Sequence, residues 1–330
     1  MKAAVFTRYG PPDVVQITDV EKPLPKDNDV LIKVRAASVN PLDWHFVRGQ
    51  PHVLRLAVGL RKPKVTRLGV DLACEVAAVG SNVTHFKPAD EVFGCARGAI
   101  AEYVCAMEEK LALKPANLSF EEAASVPVAA LSALQGLRDK GRIQRDRNVL
   151  PKVLIDGASG GVGTFAVQIA KSFGAEVTAV CSTRNVDQAR SIGATAVIDY
   201  TRQDFTHSAQ RYDLILAANA YHSIFDYRRA LAPDGIYVMV GGGAVQMLQG
   251  IFLGPLLSLL GNKKLCFVSA KVNNKDLLIL KDLLEAGKVV PIIDKRYPLS
   301  ATAEALRYLE QGHAQGKVVI TVDPASPSRR

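Results

Sequence analysis

The chain has 330 residues, 48% of them hydrophobic and 22% charged, with a formal net charge of +9. At about 150 residues per domain this length suggests two domains, each able to bury its own core; the composition excludes disordered, collagen-like and small disulfide-scaffold proteins. The longest apolar run, Ile251 to Leu260, is broken by Gly254, Pro255 and Ser258 and falls short of the roughly 20 residues that a membrane-spanning helix needs.

Residues 1 to about 125 read as β-rich. Short β-branched or alternating runs at Ala3–Phe6, Val14–Asp19, Asp29–Ala37, Cys74–Val79, Glu91–Phe93 and Ala101–Val104 are separated by turn signals such as Gly10-Pro11-Pro12 and Gly80-Ser81-Asn82. From Leu150 the rhythm becomes strand then helix: Val153–Asp156 before Val162–Phe173, and Glu176–Cys181 before Val186–Ile192. Val197–Asp199, Asp213–Ala217, the helix His222–Leu231 and Ile236–Val240 follow. Strands that are apolar throughout, with helices between them, indicate a doubly wound parallel sheet, so the fold class is α/β. The tail predicts helices at Asp276–Ala286 and Ala301–Gln311 and a last strand, Lys317–Val322, that returns to the first domain. Only the Pro-Ser-Arg terminus is of low complexity.

Five cysteines with no short CxxC pair fit free thiols in a reducing compartment rather than a disulfide framework or zinc ribbon. Met1-Lys2-Ala3-Ala4 opens into a strand-like run rather than a signal-peptide core, so a cytoplasmic protein is expected. Basic residues concentrate at Arg48–Arg67, with six basic and no acidic side chains, and at Arg138–Lys152. Neither stretch is interleaved with aromatics, so no nucleic-acid partner is expected; positive charge also attracts a polyanionic cofactor.

After the strand Val153-Leu154-Ile155 comes Asp156-Gly157-Ala158-Ser159-Gly160-Gly161-Val162-Gly163 and then a helix. This is a dinucleotide-binding fingerprint with Ala158 in the first glycine slot. Gly160 lets the backbone approach a pyrophosphate, Gly163 lets helix and strand pack closely, and the helix N-terminus faces the phosphates. The strand and helix around it supply the context that a glycine pattern alone lacks. Where an acid after the next strand would hold the ribose 2′-hydroxyl of NAD, this chain has Ser182-Thr183-Arg184. A hydroxyl plus a guanidinium suits a 2′-phosphate, which points to NADPH; Arg184 is otherwise a surface arginine capping the next helix.

The chain resembles the medium-chain dehydrogenase/reductase superfamily over residues 1 to about 323, in its zinc-free quinone oxidoreductase branch, the group that includes zeta-crystallin. Met1-Lys2-Ala3, Gly10-Pro11-Pro12-Asp13-Val14, Val30-Leu31-Ile32-Lys33-Val34, Val39-Asn40-Pro41-Leu42-Asp43, Ala101-Glu102-Tyr103-Val104 and Ala158-Ser159-Gly160-Gly161-Val162-Gly163 carry the likeness. It is nearest the reticulon-4-interacting-protein and chloroplast-envelope quinone oxidoreductase types. The resemblance implies a GroES-like β-rich catalytic domain from residues 1–125 and 277–330, with a Rossmann NADP-binding domain at 126–276. Ala89, where the family usually has Gly, and Ala158 are departures.

Zinc-dependent relatives place a Cys in the segment matching Asn40–Asp43 and a Gly-His-Glu in the segment matching Gly69-Val70-Asp71. Here there is no Cys, Val70 fills the His slot, and Asp71 alone cannot supply the three protein ligands of a catalytic zinc, so no metal is expected. The chemistry that remains is zinc-independent hydride transfer from NADPH to a quinone or an α,β-unsaturated carbonyl, acceptors that carry their own electron sink. The alternative is an NADPH-binding regulatory or crystallin-like structural protein with little turnover.

The resemblance implies Asn40 and Asp43 near the nicotinamide, with His45 close to where many quinone reductases have Tyr. His45 either polarises the acceptor oxygen or supplies a proton, or is a structural histidine beside Trp44; Asp43 either braces its turn or acts on substrate. No general acid stands out, which leaves water as a proton source. The carried-over cofactor contacts are Ser159, Gly160, Gly161, Val162, Gly163, Ser182, Arg184, Tyr200, Asn219, Gly241, Phe267 and His313. The stretch Gln50–Arg67 is expected to act as a lid, and the apolar helix Val245–Leu260 as an interface, with a homodimer as its outcome.

Overall fold

The computed structural model describes residues 1–52, 55–144 and 150–322. The chain divides into two compact units. The first comprises Met1–Val128, Val272–Glu285 and Pro291–Arg330, and the second Ala129–Lys271 and Ala286–Val290. The divisions therefore fall a few residues from the expected 125/126 and 276/277, and residues 286–290 belong with the second unit.

In the first unit β1 (Lys2–Val5) and β2 (Gln16–Asp19) form an antiparallel pair. They are followed by β3 (Asp29–Val39), β4 (Asp71–Val79), β5 (Glu91–Cys95), β6 (Tyr103–Met107) and β7 (Leu111–Leu113). The second unit contributes β8 (Lys152–Asp156), β9 (Glu176–Cys181), β10 (Ala196–Asp199), β11 (Tyr212–Ala217), β12 (Leu231–Met239) and β13 (Lys264–Phe267). The chain then returns to the first unit with β14 (Ile293–Pro298) and β15 (Lys317–Thr321).

The first unit's large sheet runs β14-β15-β3-β4-β5-β7, with β6 pairing β3. β3 is central: seven of its eleven residues are Val, Leu, Ile or Ala, and only Asp29, Lys33 and Arg35 along it are not buried, so it tolerates neighbours on both edges. Val30, Ile32, Val34, Leu72, Val92, Val318 and Ile320 meet Phe6 and Leu306 in one core. Each fully buried aliphatic side chain contributes about 1.5–3 kcal/mol relative to exposure. The last strand returns to the first unit, as expected, and there it pairs with β3, placing Val318 opposite Val39.

The second unit's sheet is wholly parallel in the order β10-β9-β8-β11-β12-β13. This is the doubly wound dinucleotide-binding order, whose switch point lies between β8 and β11. Val153, Leu154 and Ile155 of β8 and Ile215, Leu216 and Ala217 of β11 are buried, as strands covered on both faces require.

Several local expectations change. The Asn40–Arg48 turn is a helix, Pro41–Arg48: Pro41 opens it with φ already set, and Gly49 closes it at φ 60°. The strand expected at Ala101–Val104 begins at Tyr103, because Ala101 instead bridges Ala3. The apolar segment Val245–Leu260 is two short helices, Ala244–Leu248 and Gly254–Leu259, joined by a wider turn. Phe120–Ala124 is helical where no element was expected. Ser119 and Glu122 bond each other's backbone N–H there, a capping box legible in the sequence.

Of the Gln50–Arg67 stretch, residues 53 and 54 lie outside the described residues. Arg55 is tied down, its Nε donating to the Gly49 carbonyl at 2.9 Å and its guanidinium lying over the Tyr9 ring. Residues 145–149 of the second basic stretch and the Pro-Ser-Arg terminus also lie outside the described residues. Among the described residues no helix is long and apolar enough to cross a membrane.

Candidate active site

In the first unit the strand order collects polar groups at one sheet end. Ser38 of β3 pairs with Asp71 of β4, and Asp71 with Cys95 of β5, while β15 brings Lys317 alongside β3. Asp71 Oδ2 accepts from Ser38 Oγ at 3.0 Å, Asn40 Nδ2 at 2.9 Å and Lys317 Nζ at 3.3 Å. Its Oδ1 accepts from the Val128 N–H at 2.9 Å and faces Cys95 Sγ at 3.6 Å. Lys317 also donates to Asn40 Oδ1 at 2.8 Å. The ion pair is buried, 0% of the Asp71 and 3% of the Lys317 side chain being exposed, so both charges depend on this set of partners.

Asn40 follows β3 and sits at the N-terminus of the next helix, its side chain held on both atoms by Asp71 and Lys317. Asp43, one turn into that helix, accepts from the Asn40 N–H at 2.7 Å. Burial pushes its carboxyl up to about 7, and the Asp71 charge adds to the shift against Lys317 and the backbone donors.

His45 is half-buried and stacks on Trp44 at 3.7 Å between ring centroids. Its Nδ1 lies 2.8 Å from the Gln50 carbonyl oxygen, which only accepts, so Nδ1 carries the proton and Nε2 the lone pair. Burial lowers its pKa, against the Gln50 carbonyl and the Glu310 charge, and so favours the neutral ring. The helix is fastened to Thr302–Glu310 by Arg48, whose Nε and Nη2 reach the two Glu310 carboxylate oxygens at 2.6 and 2.9 Å.

In the second unit the expected cofactor residues gather where the parallel strands end. Ser159, Gly160, Gly161, Val162 and Gly163 follow β8, Ser182 and Arg184 follow β9, and Tyr200 follows β10. Asn219 and Gly241 come just after β11 and β12, and Phe267 ends β13. His313 lies in the first unit, in the turn before β15.

The glycine positions fit a phosphate cradle. A Cβ on Gly163 would stand 2.0 Å from the Gly157 carbonyl oxygen, whereas one on Gly160 would meet nothing closer than that same oxygen at 3.6 Å. Gly157 takes φ 79° and packs against Asn219, whose backbone crosses the switch point. The helix Gly161–Ser172 starts from Gly160 with no side-chain cap, leaving its first N–H groups for a ligand. Asp156, below this turn, accepts from the Tyr227 hydroxyl and is pushed up to about 6 by burial.

No acid follows β9. Asp199, at the end of β10, is occupied by Thr183 Oγ1 at 2.5 Å and Thr201 Oγ1 at 2.7 Å, with Arg202 at 3.5 Å. Those bonds, Thr183 foremost, hold its carboxyl below the usual range. Sequence reasoning missed Lys317, Ser38 and Asn185. Lys317 alone carried a signal, a charged residue opening an apolar strand, but only the pairing of β15 with β3 names its partner.

Comparisons with known proteins identify the family. Residues 26–116 match the alcohol dehydrogenase GroES-like domain and residues 192–320 a zinc-binding dehydrogenase domain. The chain is 36% identical to a 2-methylene-furan-3-one reductase from Solanum lycopersicum, over 97% of this chain and 79% of that protein. It is 33% identical to an NADPH-dependent alkenal/one oxidoreductase, chloroplastic, from Arabidopsis thaliana, with the same coverage of 97% and 79%. The solved quinone oxidoreductase from Coxiella burnetii superposes with a TM-score of 0.83 at 30% identity, covering 98% of this chain and 99% of that one. The chain belongs to the medium-chain dehydrogenase/reductase superfamily, in its quinone oxidoreductase branch.

Proposed function

We propose that this protein is a zinc-independent, NADPH-dependent oxidoreductase that reduces a quinone or an α,β-unsaturated carbonyl. The observation that carries the cofactor is the Gly157–Gly163 turn at the switch point: closed to any side chain at Gly163, open at Gly160, and with hydroxyl and basic groups rather than an acid after β9. The relatives' names supply the acceptor class, an alkenal or enone in two cases and a quinone in the third. Bound NADPH supplies the hydride; with one proton the acceptor becomes a hydroquinone or a saturated carbonyl and the cofactor NADP⁺.

The protein's part is to bind, orient and manage that proton. Ser159 to Gly163 and the helix N-terminus hold the pyrophosphate, and Ser182, Arg184 and Tyr200 the adenosine end. Asn219, Gly241 and Phe267 would complete the cofactor site within the second unit. Asn40, fixed between Asp71 and Lys317, is a rigid hydrogen-bonding group on the catalytic side. Asp43 braces Asn40. With its Nδ1 proton committed to the Gln50 carbonyl, His45 presents a lone pair at Nε2, so it orients acceptor or water, and water supplies the proton. Zinc-independence is supported by Asp71, whose oxygens are already engaged by Lys317, Asn40, Ser38 and the Val128 N–H.

Cytoplasmic residence is supported by five free cysteines, which suit a reducing compartment. A homodimer is supported by exposed Phe252, Leu256, Leu259 and Leu260 beside edge strand β13, and light scattering tests it. The deciding experiment follows NADPH oxidation with quinones, 2-alkenals and methylene-furanones, with NADH and a chelator as controls. Turnover that prefers NADPH and ignores the chelator is expected. NADPH binding with no turnover of any acceptor would overturn the reductase reading in favour of a regulatory one.

A further inference from the structure

Asn185 is buried, with 4% of its surface exposed, and its amide joins two parts of the cofactor region. Nδ2 donates to Ser159 Oγ at 2.9 Å, in the phosphate turn, and to Ser182 Oγ at 3.1 Å, just after β9. Both amide hydrogens are thereby used. Oδ1 finds no partner among the described residues, so the side chain is held there for its donors.

The consequence lies in the serines. A hydroxyl has one hydrogen to give, and each of these oxygens already accepts from Asn185. The hydrogens of Ser159 and Ser182 are therefore both turned toward other acceptors. In the phosphate turn and at the end of β9, the acceptors in reach of a dinucleotide are its pyrophosphate and the substituent on the adenosine 2′-oxygen. We propose that Asn185 is a positioning and specificity residue that converts two ambivalent hydroxyls into fixed donors, and that it sets the preference for a 2′-phosphate. This rests on the NADPH reading above. Hydrogen bonds to an ionised acceptor are roughly twice as strong as neutral ones, so aligning Ser182 favours a 2′-phosphate over a 2′-hydroxyl. Aligning Ser159 favours both cofactors equally.

Two variants and three ligands test this. Asn185→Ala frees both serines. Asn185→Asp has nearly the same shape but only accepts, so it turns both hydroxyls inward and adds negative charge. Calorimetric titration with NADPH, NADH and 2′-AMP separates the serines, because 2′-AMP carries the 2′-phosphate but no 5′-phosphate and so reports Ser182. For Asn185→Ala the Kd for NADPH should rise about tenfold, that for NADH by less, and that for 2′-AMP clearly. Asn185→Asp should be weaker still for NADPH and should lose most of the preference over NADH. Equal weakening of NADPH and NADH, which a merely structural role predicts, would overturn the proposal. So would an Asn185→Asp variant that binds NADPH as tightly as the parent. A parent protein that binds no NADPH would instead remove the cofactor reading itself.

Discussion

Ala89 and Lys317 show what one residue can cost or hold. Ala89 adopts φ 74°, a left-handed conformation that crowds its Cβ, at a position where the resembling family usually has Gly. Its N–H is needed, since it donates to the Val76 carbonyl at 2.9 Å and fixes the turn before β5. Ala89→Gly should therefore stabilise the first unit by about 1 kcal/mol in urea unfolding, relief of strain exceeding the added chain entropy. An unchanged or lower midpoint would mean the turn is not strained. Lys317 is the opposite case. Lys317→Met leaves the buried Asp71 carboxylate without its cation and should cost about 3–5 kcal/mol, whereas Lys317→Met with Asp71→Asn should recover much of that loss. Losses that simply add would show that the two groups do not stabilise each other.

At the scale of elements, the phosphate turn separates two roles that look alike in sequence. Gly163 is closed by the Gly157 carbonyl, while Gly160 opens on space. Gly163→Ala must push strand and helix apart, so it should lower both the melting temperature and NADPH affinity. Gly160→Ala should leave stability within about 0.5 kcal/mol and weaken NADPH tenfold or more, because its methyl stands where the backbone meets the ligand. A Gly160→Ala protein that binds normally would remove the pyrophosphate from this turn. The motif and the strand rhythm around it were legible because parallel strands are apolar throughout and glycine spacing is local. The polar cluster under Asn40 was not. Ser38, Asp71, Cys95 and Lys317 are scattered over nearly the whole chain, and only register across β15, β3, β4 and β5 assembles them. Asn185 was illegible for the same reason, since its meaning depends on two serines in other segments. The helix Pro41–Arg48 was legible in its Pro start and Gly stop, signals that pointed equally to a turn.

At the scale of the whole molecule, among the described residues each unit carries one buried carboxyl that resists ionisation, and together they set how stability follows pH. An unfolded aspartate ionises near 3.8, whereas Asp43 holds its proton up to about 7 and Asp156 up to about 6. Between those values the folded chain binds more protons than the unfolded chain, so stability falls as pH rises from about 4 toward 7. For Asp43 the loss is on the order of 4 kcal/mol once the group is ionised in both states. Asp199, Asp204, Asp226, Glu108 and Glu285 are held below their ordinary values, so their stabilisation is lost only as pH falls below about 3.8 for the aspartates and 4.5 for the glutamates. His45, lowered by burial, opposes the trend as pH falls through its ordinary range, one group against two. The urea midpoint should therefore be higher at about pH 5.5 than at pH 8, the reverse of a protein held by surface ion pairs. Asp43→Asn keeps an oxygen for the Asn40 N–H but cannot ionise, so it should flatten the slope in the first unit and leave that of the second unchanged. A midpoint that climbs steadily from pH 5.5 to 8, with the same slope in Asp43→Asn, would show that Asp43 ionises in the folded protein as it does in water.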